Sequence, residues 1–224
     1  MMIFTNEWDE LFKKNTHISK WPWSDLVSYV NRYAKPTGSD YKVLELGCGS
    51  GANIPFFLSF ENVKYYSVEG SQTMVRLLKK KFPSIKNNII LGDFTKELPF
   101  DLEFDLIFDR AAVSHNSTKS IISCLDIVNK KLKRDGKFVG IDWFSTEHSD
   151  FKYGDNIKDV FTKKDFKSGV FANVGCVHFS NLEHLKTLFK SFTFLALEHK
   201  LLKSEIPNNS QCLAFWNFVA KKSG

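Results

Sequence analysis

The chain has 224 residues, 43% of them hydrophobic and 22 of them phenylalanine, which is enough apolar mass for one sizeable core. No apolar run nears the ~20 residues that a membrane helix needs, and residues 1 to 7 lack the basic-then-apolar pattern of a secretory leader. The net charge of +6 sets 31 basic against 25 acidic residues, and only Arg32, Arg76, Arg110 and Arg134 of the basic ones are arginine, so the lysine-rich balance reads as solvated surface more than as a nucleic-acid binder.

In chain order, residues 1 to 40 form an N-terminal cap. It carries Trp8, Phe12, His17, Trp21 and Trp23 before a helix that starts near Ser24, and these aromatics serve either as packing or as a lid over a site. A first strand then runs through Val43, Leu44, Glu45 and Leu46 into a loop of alternate glycines at Gly47, Gly49 and Gly51. Glycine allows positive φ and close approach of a ligand to the main chain. A helix over about 51 to 60 is expected to turn its free N–H groups towards that ligand. The second strand, 63 to 68, ends at Glu69, and Ser71 caps a helix whose stripe is Met74, Val75, Leu78 and Phe82. A third strand over 88 to 94 ends in Gly92, Asp93 and Phe94, and a fourth from Phe104 ends at Asp109 and Arg110.

Ile121, Leu125, Val128 and Leu132 mark the next helix, and the turn at Asp135 and Gly136 opens a fifth strand that reaches Asp142. Residues 144 to 180 are too long an excursion to be structureless in a compact domain; they hold Ser145, His148, Asp150, Lys152, Tyr153, Lys163, Lys164, Asn173 and His178. Ser180 and Glu183 read as a capping box for a helix over 181 to 190. Two strand-like runs, 192 to 201 and 212 to 220, flank the turn-rich 206 to 210 and predict an antiparallel hairpin. The four cysteines, Cys48, Cys124, Cys176 and Cys212, lack metal-ligand spacing, which reads as reduced thiols in a cytoplasmic protein without a metal.

Glu45, placed two residues before Gly47, repels a pyrophosphate but suits a ligand that carries an ammonium or sulfonium. Glycine loop, Glu69, the Gly92-Asp93-Phe94 turn and the fourth and fifth strands together resemble the class I S-adenosylmethionine-dependent methyltransferases over residues 40 to 145. The resemblance implies an α/β fold: a doubly wound, seven-stranded, mostly parallel sheet with an antiparallel last strand and an N-terminal helical cap. It implies one domain over 1–224, divided into the cap (1–40), the cofactor-binding core (41–143), a substrate-side insertion (144–180) and the final helix and hairpin (181–224).

It also implies S-adenosyl-L-methionine as cofactor, held by Glu45, Gly47, Cys48, Gly49, Gly51 and Asn53. Glu69, Gly70 and Ser71 are expected at the ribose, Asp93 and Phe94 at the adenine, and Asp109 and Arg110 close by. Methyl transfer to a hydroxyl needs positioning and removal of one proton. His115, just past the fourth strand, is the first candidate base, with packing as its alternative role; His178, Asp142 and Asp109 come next. Trp8, Trp21, Arg110, His115, Tyr153 and His178 are the expected substrate contacts.

After the fourth strand there is no Asn/Asp-Pro-Pro-aromatic motif, and no Pro-Cys pair is present, which removes two nucleobase-methylating patterns. The remaining reading is a metal-independent enzyme acting on a small, polar and in one version anionic metabolite, with a hydroxyl of a sugar or sugar nucleotide ranked first and an amine second. A non-catalytic S-adenosylmethionine-binding protein and a NAD-type oxidoreductase stay open as other classes. No membrane partner is expected, and the chain reads as a monomer or homodimer.

Overall fold

The computed structural model describes residues 6–157, 159–207 and 211–223. Its centre is a seven-stranded sheet of β1 (Tyr41–Leu46), β2 (Val63–Glu69), β3 (Ile89–Leu91), β4 (Phe104–Arg110), β5 (Leu132–Phe144), β9 (Phe192–Lys203) and β10 (Cys212–Lys222). The strand order is β3-β2-β1-β4-β5-β10-β9. The first five strands run parallel, and β10 lies antiparallel between β5 and β9. This is the sheet the resemblance implied, with the late hairpin in its expected place.

Parallel strands buried on both faces need helices on both faces. On β4, Leu106 and Phe108 turn to one layer and Ile107 to the other, as the period of two requires. The first layer packs α2 (Ser24–Tyr29), α3 (Ile54–Leu58) and α4 (Gln72–Lys81) through Leu26, Phe57 and Leu78. The second packs α5 (Thr118–Lys131) and α6 (Leu182–Leu188) through Ile121, Leu125 and Leu185. Helix α1 (Asn6–Lys13) lies apart from both layers, against α4. Among the described residues no helix is long and apolar enough to cross a membrane.

Two local expectations change. The helix after the glycine loop starts only at Ile54, with Pro55 in its first turn, and ends at Leu58. It is therefore a five-residue turn, preceded by the longer glycine loop. In α6 the cap is Asn181, whose Oδ1 accepts from the His184 amide at 2.8 Å; Ser180 instead bridges the backbone to the end of β5. The excursion after β5 folds into a short 3-10 turn at Ser149–Lys152 and a small sheet of β6 (Asp155–Asn156), β7 (Thr162–Lys164) and β8 (Val177–His178). Phe166, Phe171, Val177 and Phe179 form a third apolar cluster there, joined by Phe144 and Ala111 from the sheet's carboxyl edge.

Candidate functional site

A cavity of about 590 Å³ opens at the carboxyl edge of β1, β2 and β4. Its floor is the glycine loop. Gly47 has φ +70°, and a Cβ there would lie 2.4 Å from the Ala112 Cβ, so the loop after β4 approaches this backbone as only glycine permits. Gly51 has φ +74°, and a Cβ would meet Leu78 at 2.5 Å. It therefore serves helix packing and does not line the cavity, unlike Gly47, Cys48 and Gly49.

Glu45 and Asn53 are buried side by side in the cavity wall. The Asn53 amide donates to Glu45 at 2.8 Å, and the Tyr65 hydroxyl donates to its other oxygen. Burial pushes the Glu45 pKa up to about 8 against the pull of those two donors. Asn53 Oδ1 is buried and accepts nothing among the described residues. A buried carboxyl beside an orphaned amide oxygen forms an acceptor pair suited to an ammonium group.

Glu69 accepts from the Gly49 and Ser71 amides, both at 2.7 Å, one on each oxygen. Each oxygen keeps a further lone pair for a hydroxyl donor. Burial raises its pKa, and the amide bonds act against that. At the far wall Asp93 holds its own turn through the Thr95 amide at 3.0 Å and pairs with Lys96. Phe94 packs near Gly47. Gly70, Ser71, Asp93 and Phe94 all border the cavity.

The loop after β4 carries His115 in a 3-10 turn at Val113–His115. Its Nδ1 lies 3.0 Å from the Cys176 carbonyl. A carbonyl only accepts, so Nδ1 carries the hydrogen and Nε2 the lone pair. Burial is the main cause that lowers its pKa to about 4, so the ring is neutral at physiological pH. Trp8 and Phe144 pack edge-on against it, with centroids 4.8 and 5.6 Å away. Arg110 lines the same wall, held by Asp142 at 3.0 Å and stacked 3.9 Å from the centroid of Trp23.

Several expected residues stand elsewhere. Asp109 is fully buried and does not border the cavity. It accepts from the Ala112 and Val113 amides and from the Trp143 indole, and so shapes the turn that presents His115. Burial, outweighing those donors, raises its pKa to about 7. Asp142 is taken up by Arg110. Trp21 is 77% exposed, and Trp23 holds the place expected of it on the wall. Tyr153 points to solvent. His178 is buried under β8 against Thr162 and His184, away from the cavity.

Among the described polar residues of the excursion only His148 borders the cavity. Asp150 is buried and accepts from the Val170 amide, while Lys164 pairs with Glu7. The excursion's other contributions are the apolar Val170, Phe171 and Val174. Sequence reasoning missed this apolar wall, along with Phe144, Leu213 and Phe215. One signal was present: Phe144 ends β5 at the site's edge, and the antiparallel register sets Phe215 beside it.

Residues 43–136 match a family model described as a methyltransferase domain. Solved structures share the whole fold. A S-adenosylmethionine-dependent methyltransferase from Anabaena variabilis aligns with a TM-score of 0.67 at 16% identity, over 97% of this chain and 93% of its own. One from Methanosarcina mazei gives 0.66 at 17% identity, over 90% and 98%. A glycopeptide N-methyltransferase complexed with S-adenosyl-L-methionine gives 0.56 at 16% identity, over 88% and 87%. No curated protein matches in sequence.

Proposed function

We propose that the chain, whose residues 43–136 match a methyltransferase-domain model, is an S-adenosylmethionine-dependent methyltransferase that methylates a hydroxyl oxygen of a small molecule with His115 as general base. S-adenosylmethionine would supply a sulfonium-activated methyl, whose carbon takes the acceptor oxygen as its bond to sulfur breaks with the pair staying on sulfur, the oxygen's proton passing to a base.

The observation that carries the reading is the tautomer of His115. The Cys176 carbonyl occupies Nδ1, so a neutral imidazole offers an Nε2 lone pair from a loop that also borders the glycine cradle. Glu45 and Asn53 Oδ1 take an ammonium, and the spare lone pairs of Glu69 take ribose hydroxyls. Asp93 and Phe94 border the position left for an adenine. Trp8 and Phe12, carried by α1, line the cavity and would limit the water that reaches the reacting atoms. Arg110 supplies a fixed positive charge on the acceptor side.

Calorimetric titration with S-adenosylhomocysteine, with NADH as control, tests the cradle. Micromolar binding that is lost in Glu69→Ala is expected, and NADH binding in its place overturns the reading. His115→Ala is expected to keep that affinity and to lose methyl transfer by about 100-fold or more. Transfer at the wild-type rate removes His115 as base.

A further inference from the structure

Two neutral histidines of opposite polarity stand in the acceptor half of the cavity. His115 offers a lone pair at Nε2. His148 is arranged the other way: the Asp150 amide donates to its Nδ1 at 3.1 Å, which puts the ring hydrogen on Nε2. His148 is only 3% exposed, borders the cavity, and its Nε2 finds no hydrogen-bond partner among the described residues. Leaving such a donor unpaired in a buried place is unfavourable. A ligand that brings an acceptor oxygen removes that cost.

The wall between the two rings is aromatic. Phe171 and Phe215 pack on His148 with centroids 5.0 and 5.9 Å away. Phe144 touches Phe171 at 4.7 Å and His115 at 5.6 Å, and Trp8 packs on the other side of His115. A carbohydrate needs hydrogen-bond partners for the hydroxyls around its rim, and the phenylalanines of this wall offer none. A planar aromatic body gains instead from edge-to-face and offset contacts with the same walls. Lys152, Tyr153, Lys163 and Lys164 of the polar excursion do not border the cavity.

We infer that the acceptor is a hydroxylated aromatic molecule, with its hydroxyl towards Nε2 of His115 and a second oxygen, carbonyl or carboxylate, accepting from Nε2–H of His148. This rests on the methyl-transfer reading and narrows its substrate class. Arg110 on the same wall provides the counter-charge for the carboxylate form. The chemical step is unchanged; His148 orients the ring and selects for the second oxygen.

The full chain, first loaded with S-adenosylhomocysteine, is titrated calorimetrically with 2-hydroxybenzoate, 2-hydroxyacetophenone and methyl glucoside. Both aryl probes are expected to bind, and the glucoside is not at the same concentration. His148→Phe should weaken the aryl probes about tenfold and leave S-adenosylhomocysteine affinity unchanged. His148→Gln, which keeps an N–H donor, should recover part of that loss. With either probe as methyl acceptor, KM should rise in His148→Phe with kcat little altered. Preference for the glucoside, absence of aryl binding to the loaded protein, or equal aryl binding by wild type and His148→Phe overturns the inference. The aryl-over-glucoside comparison needs no variant, so misfolding of His148→Phe does not block the test. Failure to bind S-adenosylhomocysteine itself falls on the methyl-transfer reading instead.

Discussion

Glu45 and Asn53 stand buried side by side in a cavity whose wall between His115 and His148 is aromatic. Burial holds the Glu45 carboxyl near a pKa of 8, so at pH 7 it is largely protonated while no cation faces it. An ammonium brought against it and against the orphaned Asn53 Oδ1 favours the carboxylate and expels the proton. Binding of S-adenosylhomocysteine at pH 7 should therefore release close to one proton. The observed enthalpy, measured in two buffers of different ionisation enthalpy, reads that number directly. Glu45→Gln should bind more weakly and release none. An enthalpy independent of buffer in the wild type would mean that Glu45 is ionised before the ligand arrives.

At the scale of elements, α1 is held over the cavity by one carboxylate. Asp9 accepts from the Ser71 hydroxyl, from the Thr73 amide at 3.1 Å and from the Thr73 hydroxyl at 3.2 Å, which joins α1 to the first turn of α4. Partial burial pushes its pKa up, yet the hydrogen bonds from Ser71, Thr73 and Lys13 outweigh this and hold it at about 2. The latch is complete above the ordinary carboxylate pKa of 3.8 and is lost as pH falls towards 2. Asp9→Ala should loosen α1 by about 1 kcal/mol, the usual value of a helix N-terminal carboxylate or cap. Trypsin should then cut at Lys13 or Lys14 several-fold faster than in the wild type, with S-adenosylhomocysteine restoring protection. Equal cutting rates would show that Trp8 and Phe12 hold α1 without Asp9.

Nothing in the sequence announces this contact, because Asp9 and Ser71 lie 62 positions apart and neither breaks a local pattern. The elements that were legible are those with a period or a punctuation mark: the Ser71 cap, the stripe of α5, the glycine loop and the hairpin. Asn181 took the capping role from Ser180 because Ser180 is drawn into a bridge with Ser145, a tertiary competition that no local signature reveals. The glycine-loop side of the cavity was readable since its residues sit at fixed offsets from strand ends. The acceptor side was not, since its wall is assembled from Trp8, Phe144, Phe171 and Phe215, four residues from separate stretches that only the tertiary fold brings together.

Over the whole molecule, buried groups set opposite limbs of stability against pH. Glu45 and Asp109 have folded-state pKa values raised to about 8 and about 7, and Glu69 moves the same way. A raised pKa means that the folded state holds protons the unfolded chain has lost, so this contribution is full below the ordinary carboxylate range and disappears as pH rises to 7 and 8. The histidines act in reverse. Burial lowers His115 to about 4 and His178 to about 3, and lowers His148 and His184. Below 6.5 the unfolded chain binds protons that these folded rings refuse, so stability falls as pH drops from 6.5 towards 4, by about 3 kcal/mol for His115 alone. Melting temperature should thus peak between pH 6 and 7 and decline on both sides. Each limb has its own test in thermal melts from pH 4 to 9. Glu45→Gln should flatten the alkaline limb and leave the fall below pH 6.5 at least as steep, while His178→Phe should ease that fall and leave the alkaline limb in place. A wild-type profile that stays level between pH 7 and 9 would show that the buried carboxyls are ionised throughout. Glu45 would then enter the cofactor site as a standing charge, and the proton release expected on binding would vanish with the alkaline limb.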